Sequence, residues 1–182
     1  MAKSKGFNNY KIINDYAEIY ITNRKGETFV VLVDIPDLED LKDFGRRWNI
    51  KWAGWAYYAC CTEYLGIENG IVQHRVHYMH RWLLKVNKRE YIDHEDHNAL
   101  NNRRKNLRIT SNSKNNQHRK DKNSNNRSGY RNVCWSEGDS KWQVQMQVDG
   151  KSKTLGRFDD VHEAGQFAEE QRKILYGEFA GV

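Results

Sequence analysis

Proline is almost absent from this sequence, with one residue in 182, and cysteine occurs only three times. Cys60 and Cys61 are adjacent and Cys134 stands alone, so neither a structural zinc site nor a disulfide framework is expected. This cysteine content fits a reducing cytoplasm. No apolar run approaches the roughly 18 residues that a membrane span needs, and the basic start lacks the apolar stretch of a signal peptide. We therefore expect no membrane partner.

Excess positive charge is confined to the middle of the chain. Residues 75–131 contain 15 Lys and Arg against 5 Asp and Glu, whereas residues 1–74 contain 9 against 10 and residues 132–182 contain 6 against 9. Contacts with phosphates release counterions and dominate affinity for nucleic acid, so this basic block favours a polyanionic partner. From charge alone, a solubilising basic face is the alternative.

Residues 1–70 predict a small α/β segment that supports packing or binds DNA. Two β-rich runs, 17–22 and 29–33, flank turn residues at 23–26, and Pro36 opens a helical stretch. The aromatic residues that follow are expected to pack in the core on strands, with a base-stacking surface as the alternative. They are Trp48, Trp52, Trp55, Tyr57, Tyr58 and Tyr64.

Residues 71–118 contain side chains suited to phosphodiester hydrolysis. An alternating run at 70–79, a helix at 80–86, a loop that holds Asp93 and His94, a return strand at 106–109 and a polar helix from Ser111 are predicted. A neutral histidine can take a proton from water near neutral pH. A carboxylate together with an amide oxygen suits a hard divalent cation.

The runs 91–96 (Tyr-Ile-Asp-His-Glu-Asp) and 101–108 (Asn-Asn-Arg-Arg-Lys-Asn-Leu-Arg), followed by Asn115, resemble an HNH endonuclease of the phage and intron-homing type. The resemblance covers about residues 76–118 and implies a β-hairpin followed by a helix, the ββα-metal motif. It implies that Asp93 and Asn115 hold one Mg²⁺ or Mn²⁺, that His94 is the general base and that Asn106 pins the loop. Arg103, Arg104 and Arg108 are expected to steady the DNA backbone.

Two further histidines leave details of this site open. Related sequences usually have glycine where this chain has His97, so His97 and Asp96 are alternative contacts with the site. His80 belongs to a His-Arg pair that is common in the family. We expect His80 to be a structural support, with direct contact with the site as the alternative.

Residues 119–128 read as a basic, Asn-rich linker, and residues 129–182 as a second folded module. Three strands are predicted at 131–135, 141–148 and 152–158, followed by a helix that Asp160 begins. The apolar stripe of this helix is expected to contain Val161, Ala164, Phe167, Ala168, Ile174 and Leu175.

The elements 155–158 (Leu-Gly-Arg-Phe) and 177–180 (Gly-Glu-Phe-Ala) resemble the plant ethylene-response-factor DNA-binding domain, a module also attached to phage HNH nucleases. The resemblance implies a three-stranded antiparallel sheet packed on one helix, with the outer face of the sheet in the major groove. Glutamine can pair with adenine through two hydrogen bonds. The candidate DNA contacts are Gln143, Gln145, Gln147, Arg131, Lys153 and Arg157. An ordinary solvated sheet face is the alternative.

The predicted fold is therefore α+β, with a mixed N-terminal segment, a central ββα-metal motif and a C-terminal three-stranded antiparallel sheet on one helix. The predicted activity is metal-dependent nicking or double-strand cutting of duplex DNA by a homing or phage-borne nuclease in the cytoplasm of a bacterial or phage-infected cell. No organic cofactor is expected. We expect a monomer, with a dimer as the alternative. A non-catalytic, sequence-specific DNA-binding regulator and an RNA-binding protein are the competing functions.

Overall fold

A computed structural model describes residues 6–181 and divides the chain into two compact units, with the boundary between Thr110 and Ser111. Over these residues the fold is α+β, with four α-helices and several small antiparallel sheets, which confirms the predicted class. The finer boundaries at residues 70, 118 and 128 stay predictions. No helix within 6–181 is both long enough and apolar enough to cross a membrane.

The first sheet of the first unit contains β1 (Tyr10–Ile13), β2 (Tyr16–Thr22) and β3 (Thr28–Asp34) in antiparallel order. α1 (Ile35–Asp43) follows, with the proline in its first turn, where no backbone N–H is needed. Alternate residues of β2 and β3 are buried together with two leucines of α1. The buried set is Ala17, Ile19, Ile21, Val31, Val33, Leu38 and Leu41.

The second sheet contains β4 (Asn49–Trp52), β5 (Tyr57–Glu68) and β6 (Ile71–Tyr78), and α2 (Met79–Leu84) follows it. The prediction that the aromatic residues of this region fill the core is right for Trp48, which is fully buried. It is wrong for most of the others, because Trp52, Trp55, Tyr57 and Tyr64 are exposed. α2 ends earlier than the sequence predicts, since Lys85 adopts a left-handed backbone conformation.

The third element of the first unit is a two-stranded hairpin of β7 (Tyr91–His94) and β8 (Leu107–Thr110). Residues 95–106 connect the strands and contain a short 3-10 helix, Arg104–Asn106. The prediction that Asp93 and His94 lie in a loop is wrong, because both residues are paired in the ladder at the end of β7.

The second unit contains α3 (Asn112–Gln117), β9 (Val133–Ser136), β10 (Lys141–Val148), β11 (Lys151–Phe158) and α4 (Val161–Tyr176). The three strands form an antiparallel sheet with β10 in the centre, and α4 packs against it. Asp160 caps α4 by accepting the N–H groups of His162 and Glu163. A side chain at Gly165 would collide with the ring of Tyr130, which explains the glycine inside this helix.

The predicted apolar stripe of α4 is correct for its first half and wrong for its second. Ala164 and Ala168 are fully buried, whereas Ile174 is 73% exposed and Leu175 is also exposed. The buried spacing of three and four residues continues instead to Arg172, whose Nη1 donates to the carbonyl of Arg131 at 3.2 Å. A cation with a main-chain partner therefore occupies a core-facing position of the helix.

Candidate active site

Asp93 and His94 end β7, and both side chains are buried, each with 7% of its surface exposed. In the antiparallel register Asp93 lies opposite Arg108, and His94 lies opposite Leu107. The Arg108 Nε donates to Asp93 Oδ2 at 2.8 Å. The charge of the buried carboxylate is therefore balanced from the neighbouring strand. The structure thus brings together three residues that the sequence predicts for the site.

The side chain of Asn106 joins the two ends of the loop between β7 and β8. Its Oδ1 accepts the N–H of Asp96 at 3.0 Å, and its Nδ2 donates to Asp96 Oδ1 at 2.9 Å and to the carbonyl of Asn101 at 2.8 Å. The Asn106 carbonyl also accepts the N–H of Glu95 at 2.9 Å. A buried amide with this many partners holds the backbone that follows His94 in one conformation.

Asp96 and His97 form part of the turn that follows His94 and make hydrogen bonds within it. Burial raises the pKa of the Asp96 carboxyl, but hydrogen bonds from Asn101, from the Asn98 N–H and from Asn106 outweigh this effect, so the pKa is lowered overall. His97 has a φ of 62°, and its N–H donates to the His94 carbonyl at 2.9 Å. Glycine adopts this backbone conformation without strain, whereas other residues seldom do. A contact of His97 with the site stays a prediction.

The loop is attached to the first sheet by main-chain and ionic contacts. Leu32 donates its N–H to the Leu100 carbonyl at 2.9 Å and accepts the N–H of Asn102 at 2.8 Å. Arg103 Nε donates to Asp34 Oδ1 at 2.9 Å, and Arg104 binds both oxygens of Asp37 through Nε at 2.9 Å and Nη2 at 2.7 Å (Arg103 also pairs with Asp15). These arginines support the loop, and their contact with DNA stays a prediction.

The rings of His80 and Tyr58 pack beside the candidate base, His94. The ring centroids of His80 and His94 are 5.3 Å apart, and the ring centroid of Tyr58 lies 5.4 Å from that of His80 and 6.2 Å from that of His94. His80 comes from α2 and Tyr58 from β5. The sequence pointed to His80 through its neighbour arginine, but it gave no signal for Tyr58, because an aromatic residue on a strand is usual anywhere in a sheet.

Burial lowers the pKa of both imidazoles. Burial, aided by the charges of His94 and Arg81, lowers the pKa of His80 to about 3. Burial also lowers the pKa of His94, although Asp96, the amide of Asn102 and Asp93 offset part of the shift. His94 Nε2 is buried and makes no hydrogen bond with any residue of 6–181. A neutral imidazole with an unpartnered ring nitrogen can act as a proton acceptor.

The predicted metal ligands fall in different units. Within residues 6–181 no three His, Cys, Asp or Glu side chains are grouped to hold a metal ion. The expected set is smaller, and contains the carboxylate of Asp93 in the first unit and the amide of Asn115 on α3 in the second. Both are hard oxygen donors of the kind that Mg²⁺ and Mn²⁺ prefer. In donor chemistry the Asp93 carboxylate fits the expected cation, and Asn115 as a second ligand stays a prediction.

Comparisons with protein-family models, with curated proteins and with solved structures gave no match. The function therefore rests on the chemistry of the residues themselves.

The outer face of the second unit's sheet carries the predicted glutamines. Val144 and Met146 are buried against α4, and Gln145 and Gln147 point away from it and are exposed. Gln143 Nε2 and Arg157 Nε both donate to Asp139 Oδ2, at 2.6 Å and 2.9 Å. Lys153 pairs in register with Met146, which assigns it to the face toward α4 and separates it from the glutamines.

The guanidinium of Arg131 binds main-chain carbonyls of its own unit. Its guanidinium donates to the main-chain carbonyls of Asn116 at 3.2 Å and Gln117 at 2.8 Å, and to that of Arg119. Burial lowers its pKa to about 10. Arg131 thereby fastens the segment after α3. Residues from 119–128 border a cavity of about 730 Å³ together with Trp135 and the neighbouring sheet face.

We predict that Asn106→Ala lowers the free energy of unfolding by about 1–3 kcal/mol, because it leaves the Asp96 N–H and carboxylate without their amide partner. Urea denaturation measures the change. Asn116→Ala is the matched control, since Asn116 is exposed and should cost less than about 0.5 kcal/mol. An equal effect of the two substitutions would contradict the loop-holding role of Asn106.

The half-buried His80 should make stability depend on pH. Its pKa is about 3 in the folded chain and 6.5 in the unfolded chain, so between these values the unfolded chain binds more protons. Stability therefore falls as the pH drops below 6.5, and His80 contributes up to about 1.4 kcal/mol per pH unit to this loss. His80→Phe should show a correspondingly shallower loss in urea denaturation between pH 7 and pH 4. The exposed His74→Phe is the control, and equal slopes for His80→Phe and wild type would refute the assignment.

Proposed function

We propose that this chain is a metal-dependent HNH endonuclease that hydrolyses phosphodiester bonds in duplex DNA. The observation that carries the proposal is the buried pair of Asp93 and His94 at the end of β7, with a neutral imidazole and a following loop held by Asn106. A proton acceptor next to a hard anionic ligand is the minimum that metal-assisted hydrolysis needs. We expect a homing or phage-borne enzyme that works in the cytoplasm.

In the proposed reaction, His94 Nε2 accepts a proton from the attacking water as its oxygen forms a bond to phosphorus. The bond between phosphorus and the 3′ oxygen breaks, and this oxygen takes a proton from solvent. Nε2 is buried in the free protein, and we expect the attacking water to reach it when DNA binds. Asn106 contributes by fixing the turn after His94, which keeps the ring where the phosphate is to lie.

Asp93 is the residue of the first unit that would hold the divalent cation, and the sequence predicts the amide of Asn115 as a second ligand. When bound, Mg²⁺ or Mn²⁺ supplies Lewis-acid relief of the charge that develops on the phosphate. Arg108 shares the carboxylate of Asp93 in the free protein and is the arginine of the central motif that lies nearest to this ligand. We propose that Arg108 also steadies the scissile phosphate.

We propose that the second unit supplies sequence recognition. The exposed amides of Gln145 and Gln147 project from one face of a sheet, and a two-stranded ribbon or sheet of this width fits the major groove. Arg157 lies opposite Gln143 in the ladder and can reach either a base edge or a phosphate. The net negative charge of residues 132–182 means that affinity must come largely from the basic block.

His94→Ala is expected to reduce the rate of plasmid nicking by about 10²- to 10⁴-fold, since general-base catalysis contributes that much. The assay follows conversion of supercoiled plasmid to open circle with Mg²⁺ or Mn²⁺. Removal of the cation with EDTA should stop the reaction of the wild type. Asp93→Asn should also lose activity because a neutral amide holds the cation more weakly than a carboxylate.

His74→Ala is the matched control for these variants, because His74 is an exposed histidine on the β5–β6 hairpin. His97→Gly separates the two candidate bases, since glycine accepts the positive φ at this position. Retention of nicking by His97→Gly together with its loss in His94→Ala assigns the base to His94. Wild-type activity of His94→Ala would show that the proposed base is wrong.

A non-catalytic DNA-binding regulator is the second candidate function, and the exposed glutamine face of the second unit favours it. This function requires selective binding of one duplex sequence without cation-dependent cleavage. A selection of bound duplexes from a randomised library, performed in EDTA, followed by incubation with Mg²⁺, distinguishes the two. Intact recovered duplexes would favour the regulator, and cut duplexes would favour the nuclease.

Gln145→Ala should reduce discrimination among sequences, because a two-bond glutamine–adenine contact is worth about 1–3 kcal/mol. The ratio of affinities for the selected duplex and a duplex with one changed base pair measures the effect. Gln166→Ala, an exposed glutamine on α4, is the matched control. If both substitutions leave the ratio unchanged, the outer sheet face does not read this base pair through Gln145.

A further inference from the structure

Trp55 is the most exposed large aromatic residue described in the first unit, with 77% of its surface accessible. It lies in the tight turn between β4 and β5, which is closed by a hydrogen bond from the Ala53 N–H to the Ala56 carbonyl at 3.0 Å. Gly54 provides the positive φ of 94° that the turn needs. The indole is held in place, because its Nε1 donates to Tyr58 Oη at 3.2 Å.

Tyr58 connects this exposed indole to the candidate base. Its ring packs against those of His80 and His94, with centroid distances of 5.4 Å and 6.2 Å. A single side chain therefore separates Trp55 from the imidazole that is proposed to activate water. All of these residues lie within the first unit. Trp55 is in the β4–β5 turn, Tyr58 is on β5, His80 is on α2 and His94 is on β7.

Strand alternation places Tyr58, the hydrogen-bond partner of Trp55, on the face of the sheet opposite to Trp52 and Tyr57. Trp52 pairs with Tyr57 across the β4–β5 ladder, and Tyr57 contacts Phe29, with ring centroids 4.8 Å and 4.7 Å apart. Lys51 pairs with Tyr58 on the opposite face. The side of the sheet that bears the candidate site therefore carries an exposed indole and a cation.

We propose that Trp55 stacks on a nucleobase that has left its place in the duplex beside the cleaved phosphate. Inside a duplex both faces of a base are covered by its neighbours, so an indole can stack only on a base that has been displaced. Lys51 then lies close enough in the ladder to interact with the adjoining phosphates. This proposal rests on the nuclease function, and it adds a residue that selects the distorted form of the DNA.

The test compares two duplexes of one sequence, one fully paired and one with a single unpaired adenine. Fluorescence anisotropy in EDTA measures their affinities for the wild type, Trp55→Ala, Trp55→Phe and Trp52→Ala. The wild type should prefer the bulged duplex. Trp55→Ala should bind it about 5- to 100-fold more weakly, the effect of removing one base–aromatic stack, and should lose the preference.

Two further results are expected if Trp55 stacks on the base. Trp55→Phe should keep most of the preference, because phenylalanine retains a stacking face. The salt dependence of binding should not change in Trp55→Ala, since stacking releases no counterions. Trp52→Ala, a substitution of an exposed indole (54%) on the other face of the same sheet, should keep the preference.

The proposal is overturned if Trp55→Ala binds both duplexes as the wild type does, or if Trp52→Ala loses the preference equally. Plasmid nicking with Mg²⁺ by the same variants separates this outcome from failure of the proposed function. A wild type that nicks DNA, with no binding defect in Trp55→Ala, refutes the stacking alone. If the wild type nicks no DNA but prefers the bulged duplex, and Trp55→Ala loses that preference, the nuclease function is refuted and the stacking is retained.

Discussion

The ion pair between Arg104 and Asp37 is the contact on which the position of the candidate site depends. Asp37 lies in the first turn of α1 and is almost fully buried, so its charge requires a partner. Arg104 supplies that partner through two nitrogens, and the adjacent Arg103 binds Asp34 at the end of β3. The loop after His94 is thereby bound to the scaffold at two consecutive residues. Loss of Asp37 would leave the Arg104 guanidinium without its carboxylate partner, whereas Arg103 would keep Asp15 after loss of Asp34.

This dependence gives the first sheet a role that the hairpin cannot fill alone. β7 and β8 have four residues each, and a two-stranded ribbon of that length is only marginally stable in water. The internal hydrogen bonds of Asn106 close the loop but do not anchor it. Besides the two ion pairs, Leu32 on β3 anchors the loop by pairing with the backbone of Leu100 and Asn102. The N-terminal elements are thus the support that keeps His94 buried and neutral.

Local signals predicted the parts of the fold that depend on neighbouring residues. Four such signals depend only on residues a few positions apart in the sequence. They are the turn at 23–26, the proline at the start of α1, the Asp160 cap and the alternation along β10. The α+β class follows from them.

The sequence did not predict the contacts between distant segments. The sequence around Arg103 and Arg104 would look the same whether these arginines bound phosphates or carboxylates. In the structure they bind Asp34 and Asp37, which lie 69 and 67 residues away in the chain. An indole gives no sign of whether it is buried like Trp48 or exposed like Trp55. The predicted apolar stripe was wrong for the second half of α4 for a related reason. The core-facing position there is occupied by the aliphatic part of the Arg172 side chain.

Internal pairing also changes which cations can attract DNA. Arg81, Arg103, Arg104, Arg108 and Arg131 all donate to carbonyls or carboxylates of their own unit. Apart from the paired Arg104, the exposed Lys and Arg residues of the basic block are spread along it. They are Arg75, Lys85, Lys88, Arg89, Lys105, Lys114, Arg119, Lys120, Lys122 and Arg127. Exposed, flexible cations give sequence-independent attraction to phosphates, so in the proposed complex we expect affinity and registration on DNA to arise from different residues. The paired arginines hold the loop and the hairpin in place, whereas the exposed cations are the ones that the proposed function assigns to attraction of the polyanion.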